Sequence, residues 1–309
     1  MTEPDHRWIG PACAIAGVFG FSFKAILIKL AYAWHPVDAV TLLALRMLFS
    51  APFFIAMAWW AGRQPGALAI TKPDWLRLAW LGFIGYYLAS LLDFLGLQYI
   101  TASLERLVLY LYPTFVVILS ALLLRKRITR RTLVAVVLSY AGIALVFSHD
   151  LRIGGDMTAT ITGGALVLAG ALLYALYLVQ AGDILQRLGS LRFTAYAMLG
   201  STLFVLAQFT LTRPWSALDV PSAIHWISVA MAVVSTALPT WLIAESVRRM
   251  GANAASLLGA LGPVFTIVFG AMILGEPIHA IQLAGAALVL TGVLLVTVRS
   301  RVSEPANPV

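Results

Sequence analysis

The sequence predicts an all-α membrane protein whose ten transmembrane helices form two inverted five-helix repeats. Three observations lead to this prediction. The 309-residue chain is too apolar for a water-soluble fold, its apolar stretches recur ten times at membrane-spanning length, and its second half repeats the first with an odd number of spans in each copy. The predicted repeats comprise residues 1–150 and 151–309.

The composition excludes a soluble globule. Hydrophobic residues make up 61% of the chain and charged residues only 11%, whereas soluble domains carry about 25% charged residues. Mean hydropathy is +0.91, and a folded chain in water needs a more polar surface. The net charge of +8 does not indicate nucleic-acid binding, because the basic residues lie between apolar segments and form no face with aromatic residues among them.

Ten apolar stretches are long enough to cross a bilayer, which takes about 20 residues of helix. Most of the connections are short and contain proline or glycine, and the longest, 149–161, separates two groups of five spans. The stretches are continuously apolar and do not alternate, which excludes a membrane β-barrel. The N-terminus lacks the basic segment of a secretory signal peptide, so the first stretch is expected to remain as a span. The predicted spans are 8–31, 38–61, 75–97, 102–124, 132–148, 162–181, 191–212, 224–247, 254–274 and 280–298.

The basic residues predict the orientation. One alternate set of connections holds 15 of the 21 Lys and Arg residues, whereas the opposite set holds only Arg152 and Arg213. Lys and Arg concentrate in cytoplasmic loops, so both termini are predicted to be cytoplasmic, as in a multi-pass protein of a bacterial-type inner membrane. This placement requires an even number of spans. The 15 residues are Arg7, Arg63, Lys72, Arg77, Arg125, Lys126, Arg127, Arg130, Arg131, Arg187, Arg192, Arg248, Arg249, Arg299 and Arg301.

The second half of the chain repeats the first at an offset of 150 residues. Residues 101–147 align with 251–297 without a gap, and thirteen of the 47 pairs are identical. Coincident prolines, Pro113 with Pro263, are harder to attribute to chance than matches between apolar residues. Since each copy holds five spans, the second copy must enter the membrane from the opposite side. Inverted repeats of this kind place a central site between the halves and open it to each side in turn.

Several of these features resemble the EamA type of the drug/metabolite transporter superfamily. The resemblance rests on the two five-helix halves, on Leu261-Gly262-Pro263-Val264-Phe265, and on Leu274-Gly275-Glu276-Pro277 before a last helix that contains glycine. Lys24 in the first span and Arg46 in the second are similar to the same pattern. The first half departs from it, since Arg125-Lys126 stands where the second half has Gly275-Glu276. Among the branches, the chain is most similar to the YddG-type bacterial amino-acid exporters, which implies export of amino acids or related metabolites without a cofactor.

Five ionisable residues are predicted to share the outer half of the first repeat. Charges within spans are costly and therefore mark candidate functional sites, and three positive with two negative groups would suit a carboxylate-bearing or zwitterionic substrate. Alternatively, Asp93 pairs with Arg46 and Glu105 with Arg106 to stabilise helix packing, or Glu105 and Arg106 extend outward to the interface. Lys24 is the strongest candidate because it lies farthest from water. The five residues are Lys24, Arg46, Asp93, Glu105 and Arg106.

Two other charged residues have simpler interpretations. Lys29 is expected to extend from the end of the first span to the interface. Glu245 is a candidate for an inner vestibule, and the alternative is an ion pair with Arg248 or Arg249 one helical turn away.

Aromatic residues within the spans form a second candidate group. Most Trp and Tyr residues of membrane proteins lie at the interfaces, whereas a phenol at mid-span needs a polar partner. The mid-span set, to which Tyr112 also belongs, predicts a ring-lined cavity for flat or apolar substrates. The alternative is an ordinary bundle core whose hydroxyl groups bond to backbone carbonyls. The candidates are Tyr86, Tyr87, Tyr110, Tyr174, Tyr177 and Trp241.

Prolines at mid-span form a third group. Pro113, Pro239 and Pro263 interrupt backbone hydrogen bonds and are interpreted as hinges. Small residues such as Gly17 and Gly20 are predicted to allow close helix packing.

The leading functional hypothesis is a transporter that works by alternating access on a small-molecule substrate, with proton coupling through Asp93 or Glu105 left open. Nucleotide sugars or lipid-linked groups are the alternative substrates. An intramembrane enzyme is a second class, but the five histidines lie at helix ends or in loops and no HExxH or GxSxG motif occurs. No catalytic residue or metal ligand is therefore predicted. A non-transporting scaffold is a third class, and no oligomeric state is predicted.

Overall fold

The computed structural model describes residues 8–64, 66–125, 129–153 and 156–298. Nine helices in these residues are long and apolar enough to span a membrane, and a tenth, Ala280–Val298, has a shorter apolar stretch. The predicted all-α fold with ten helices is therefore confirmed. The two termini and some of the basic residues used for the orientation lie outside the described residues, namely Arg7, Lys126, Arg127, Arg299 and Arg301.

The helix bounds agree closely with the predicted spans except at α5 and α6. The predicted sixth span ends at 181, whereas α6 continues to Leu188 because its polar last two turns extend beyond the apolar stretch. The helices are α1 (Ile9–Trp34), α2 (Ala39–Gly62), α3 (Lys72–Gly96), α4 (Ala102–Leu124), α5 (Arg130–Ile153), α6 (Met157–Leu188), α7 (Ser190–Thr212), α8 (Ser222–Met250), α9 (Ala252–Gly259 and Gly262–Leu274) and α10 (Ala280–Val298).

Polar residues fix several helix starts. Asp38 accepts hydrogen bonds from the backbone N–H groups of Val40 and Thr41 at the start of α2, and Thr101 accepts from Leu104 N at the start of α4. Such caps satisfy backbone donors that have no partner within the helix. We call the end of the bundle that holds these two caps the outer end, following the orientation that the charges predict, and the opposite end the inner end.

The two repeats share their helix irregularities. The fourth helix of the first repeat, α4, breaks at Tyr110–Leu111, and its counterpart α9 breaks 150 residues later at Ala260–Leu261. Pro113 and Pro263 lie in the first turn of the second pieces of these helices. The third helix of the first repeat and its counterpart α8 contain π-helical segments at Gly82–Leu88 and Val233–Ala237. The internal repeat predicted from the sequence is therefore present in the backbone.

Pro239 marks the same kind of irregularity in α8. It lies at the start of the α-helical piece that follows the π-helical segment. All three candidate hinge prolines thus lie where a helix changes its geometry, rather than inside a regular helix.

Helix packing forms two groups that face each other. One group consists of α1, α8 and α9, and the other of α3, α4 and α6, while α2 packs on α7 and α5 on α10. The glycine face of α1 is confirmed as an interface with α8. A Cβ atom at Gly20 would lie 2.6 Å from the Pro239 ring, and one at Gly17 would lie 2.9 Å from Ile243.

Candidate functional site

One ammonium group, that of Lys24 on α1, forms ion pairs with two carboxyl groups, those of Asp93 on α3 and Glu105 on α4. Lys24 Nζ donates a hydrogen bond to Asp93 Oδ2 at 2.6 Å and lies 3.4 Å from Glu105 Oε1. The side chains are 17%, 3% and 0% exposed, respectively. Buried charges need a partner within the protein, and here two acidic groups depend on one basic group. We call Lys24, Asp93 and Glu105 the charge triad.

The end of α3 is fixed to α1 by polar contacts close to the charge triad. Lys29 Nζ donates hydrogen bonds to the carbonyl oxygens of Leu97 at 3.2 Å and Ile100 at 3.0 Å. The Tyr32 hydroxyl donates to the Phe94 carbonyl at 2.8 Å. Lys29 thus reaches the outer end of α3, where the carbonyl groups that follow the helix accept its hydrogen bonds.

The two arginines have different partners from those considered in the sequence. The Arg46 guanidinium lies 5.0 Å from the centroid of the Phe94 ring, and its Nη2 is 3.3 Å from Ser90 Oγ. Arg106 donates from Nη2 to the Phe21 carbonyl at 2.7 Å and from Nε to Thr266 Oγ1 at 3.1 Å. The alternative pairs Asp93–Arg46 and Glu105–Arg106 are wrong, because the described ion pairs of both carboxyl groups are with Lys24. Glu105 is also too buried to be an interface charge.

Four of the predicted tyrosines meet in a continuous row that also includes Tyr112. Neighbouring ring centroids are 5.9 Å apart for Tyr110–Tyr112, 5.2 Å for Tyr112–Tyr174, 5.5 Å for Tyr174–Tyr177 and 5.1 Å for Tyr177–Tyr86. The hydroxyl groups of Tyr86 and Tyr177 are 3.0 Å apart. We call these five residues the tyrosine row. The row joins α3, α4 and α6 through contacts between the rings and through the hydrogen bond between the Tyr86 and Tyr177 hydroxyl groups.

The tyrosine row lies inward of the charge triad. Tyr86 precedes Asp93 by seven residues on α3, which corresponds to about 10 Å along a helix. Tyr110 follows Glu105 by five residues on α4, or about 7.5 Å. The triad and the tyrosine row therefore occupy different depths along α3 and α4.

Two predicted aromatic residues lie apart from the row. Tyr87 packs against Phe83 and Phe204, with ring centroids 5.3 and 6.0 Å away, and so faces α7. Trp241 lines a largely apolar cleft of about 380 Å³ between α2 and α8, together with Phe53 and Trp60. The structure therefore does not bring Tyr87 and Trp241 together with the other candidates.

A phenylalanine cluster on α1 and α9 was not predicted. Phe23 stacks on Phe269 with centroids 4.3 Å apart, and Phe19 contacts Phe265 and Phe269 edge-on at 5.6 and 5.0 Å. Both helices place their rings at i and i+4, which puts them on one helix face. This spacing is the signal that the sequence offered.

Glu276 connects the repeats at the outer end. Its Oε1 accepts a hydrogen bond from Ala102 N at 2.7 Å, and its Oε2 accepts from Ser103 N at 3.2 Å and from Ser103 Oγ at 2.7 Å. A carboxylate at a helix N-terminus also interacts favourably with the helix dipole. Because Glu276 follows α9 and caps α4, it fastens the second repeat to the first.

Asp38 forms another contact between the repeats, outside the spans. Its Oδ1 accepts a hydrogen bond from Arg213 Nε, at the end of α7, at 3.0 Å. Burial acts to raise the pKa of Asp38, but hydrogen bonds from Thr41 and Arg213 outweigh it and hold the pKa below its ordinary value. The carboxylate is thus ionised near neutral pH, and the contact persists there.

The described polar contacts between the two helix groups lie in the outer half or near the middle of the bundle. They are made by the charge triad, Lys29, Tyr32, Arg106 and Glu276. The part of the chain that the structure describes contains no cluster of three His, Cys, Asp or Glu residues placed to hold a metal ion.

At the inner end, no described polar contact joins the two helix groups; Arg192 at the start of α7 donates to the Leu68 carbonyl in the α2–α3 connection, and the other contacts lie within one group. Arg187 of α6 pairs with Asp74 of α3. Glu245 Oε1 accepts from Arg248 Nη2 at 2.5 Å and from Arg249 Nε at 2.6 Å, all within α8. The pairing considered for Glu245 is therefore confirmed.

Comparison with known proteins accounts for this architecture. The EamA-like transporter family matches residues 8–148 and again 161–298. The chain belongs to the EamA-like transporter family. This agrees with the resemblance carried by the proline and glycine motifs of the second repeat.

Relatives of this EamA-family protein extend over most of its length. The uncharacterized transporter YcbK of Bacillus subtilis is 30% identical over 295 residues, which are 92% of each chain. A probable terminal-alkyne amino-acid exporter of Streptantibioticus cattleyicolor is 24% identical and covers 79% of this chain and 82% of its own. A protein of known crystal structure superposes on this chain with a TM-score of 0.63. The two sequences are 21% identical, and the superposition covers 94% of this chain and 98% of the other. That structure shows the fold alone.

Proposed function

We propose that this EamA-family transporter exports amino acids with aromatic or apolar side chains, and related zwitterionic metabolites, by alternating access between its two repeats. The observation that carries the proposal is the charge triad, which joins α1 of one helix group to α3 and α4 of the other, with the tyrosine row inward of it on α3, α4 and α6. Lys24 offers a cation to a carboxylate, Asp93 and Glu105 offer anions to an ammonium group, and the rings offer a surface to an apolar side chain.

The similarity to a relative named as a probable amino-acid exporter supports the same substrate class. The location that follows is an inner membrane, with both termini in the cytoplasm. In this proposal the described arrangement is the state closed at the outer end, because the polar contacts between the helix groups concentrate there. The solute then enters from the inner end and passes the tyrosine row before it reaches the triad.

Counterflow in liposomes tests the proposal. Vesicles that contain purified protein and unlabelled L-phenylalanine are expected to take up labelled L-phenylalanine, whereas empty vesicles are not. L-leucine and L-tryptophan should compete because they share the zwitterionic head group. Uptake of UDP-glucose but not of amino acids would favour a nucleotide-sugar transporter. Uptake of neither would contradict the proposal.

Replacing Pro263 by alanine is expected to slow counterflow while membrane insertion remains intact. The new N–H group is able to donate to the carbonyl oxygen of Gly259 and join the two pieces of α9, which stiffens the helix. We expect a rate loss of about tenfold, equivalent to about 1.4 kcal/mol of activation free energy. Pro52→Ala is the matched control, because Pro52 lies inside the continuous helix α2. Wild-type rates in a folded Pro263→Ala variant would reject the hinge.

A further inference from the structure

Glu105 is a fully buried carboxyl group without a counter-ion of its own. Lys24 donates its hydrogen bond to Asp93 and lies farther from Glu105, at 3.4 Å. Within the described residues, neither Glu105 oxygen has a hydrogen-bond partner, and Asp93 Oδ1 also lacks one. The triad therefore contains three buried oxygen atoms that need a donor.

The surroundings of Glu105 supply positive charge but no hydrogen-bond donor. Arg106, on the same helix, adds its charge near Glu105, but its described hydrogen bonds go to the Phe21 carbonyl and Thr266. Arg46 on α2 packs against Phe94. Glu276, which follows α9 in the chain, is a further carboxylate near the start of α4, and it accepts hydrogen bonds from the backbone N–H groups there. The helices α5, α6 and α9 cover this part of α4 with apolar side chains, including Val146, Val167 and Ile267.

Two neighbouring buried carboxyl groups that share one cation rarely ionise together. An ionised Glu105 would share Lys24 with Asp93 and would accept no hydrogen bond within the described residues, which is costly for a buried anion. A proton on one of the two groups removes that cost and supplies a donor to the oxygen atoms that lack one. Acidic dyads in enzymes hold a single proton for the same reason.

We propose that Asp93 and Glu105 together form the binding site for one transported proton, which the protein exchanges for the ammonium group of its substrate. This inference rests on the proposed function. The carboxyl pair takes up a proton from water when the site is open to the outside. When the site is open to the cytoplasm, the proton passes to water, and the substrate ammonium group then faces both carboxylates.

Each cycle moves one proton inward and one zwitterion outward, so one net positive charge enters. At one-to-one exchange, a pH difference of one unit sustains about a tenfold concentration ratio of the amino acid. Vesicles that contain the wild-type protein and the pH dye pyranine report both fluxes. A gradient of L-phenylalanine is expected to move protons in the opposite direction. L-phenylalanine flux that neither moves protons nor responds to a pH difference would overturn the inference and leave the proposed function standing.

Binding to the protein in detergent gives a second readout. L-phenylalanine is expected to release close to one proton per protein in weakly buffered solution, and its apparent affinity should rise with pH up to about tenfold per unit, since proton and ammonium compete. In Glu105→Gln the proton release and the pH dependence should be lost, whereas Glu105→Asp should retain both. Asp183→Asn, at an exposed carboxylate of α6, is the matched control. Binding without proton release in the wild type would overturn the inference even if the Glu105 variants do not fold.

Discussion

Replacing Lys24 by methionine is expected to abolish L-phenylalanine counterflow and to destabilise the folded protein. The substitution approximately preserves side-chain length but removes the ammonium group that Asp93 and Glu105 share. Breaking a buried ion pair by removing one partner costs about 3–5 kcal/mol, because the remaining charge stays buried. Thermal unfolding in detergent measures the loss of stability, and vesicle counterflow measures the loss of transport.

A triple variant separates binding from packing. Lys24→Met combined with Asp93→Asn and Glu105→Gln removes all three charges, so it is expected to recover most of the stability without recovering transport. Counterflow in the triple variant would show that the triad acts only in packing. Lys29→Met is the matched control on the same helix. Since the partners of Lys29 are backbone carbonyls, this control removes an ammonium group without removing a partner of either carboxyl group, and it should retain counterflow that Lys24→Met loses.

Replacing Glu276 by glutamine is expected to open the outer end. In Glu276 one carboxylate oxygen accepts from Ala102 N and the other accepts from Ser103. Glutamine replaces one of these oxygens by an amide nitrogen, which cannot accept a hydrogen bond, so the backbone N–H group that faces the nitrogen loses its acceptor. Hydrogen bonds to a charged group are worth about 1.5–3 kcal/mol. A loss of about 2 kcal/mol shifts a two-state equilibrium by about 30-fold toward the state open at the outer end.

Spin labels measure this change. Tyr99 and Ile278 lie beside the Glu276 contact and are 46% and 48% exposed, so cysteines there are suitable label sites once Cys13 is replaced by alanine. Glu276→Gln should add a population at longer distance. Glu245→Gln makes the same substitution at the inner end of α8, and it should leave the outer distance unchanged. An unaltered distance distribution in Glu276→Gln would show that the contact does not hold the outer end closed.

The fold could be predicted from the sequence because span length, apolar continuity and the charges of the loops are local properties. The end of α6 escaped prediction because residues such as Asp183 and Arg187 continue the helix beyond the apolar stretch. The breaks at 110–111 and 260–261 are signalled by Pro113 and Pro263, but a proline alone does not distinguish a kink from a complete interruption.

The candidate site was less accessible from the sequence. The positions of Lys24, Asp93 and Glu105 along their spans predicted that they lie at a similar depth in the membrane. Which of them form pairs depends also on the rotation of each helix about its axis. Rotation is fixed by packing contacts such as Gly17 and Gly20 against α8, which one sequence does not specify. Because the rotation of α8 was unknown, Trp241 was grouped with the tyrosines, but its ring lines a cleft between α2 and α8.

In the sequence, the first repeat has no acidic residue at the position that corresponds to Glu276. At an offset of 150 residues its counterpart is Lys126, outside the described residues, and the counterpart of the capped start of α4 is the start of α9. A helix dipole disfavours positive charge at a helix N-terminus, so a basic residue at this position is not expected to hold the inner end closed as Glu276 holds the outer end. The substrate-free protein is therefore expected to favour the state that is open to the cytoplasm, where it binds its substrate. After each release of substrate to the outside, the outward-open state is expected to be short-lived.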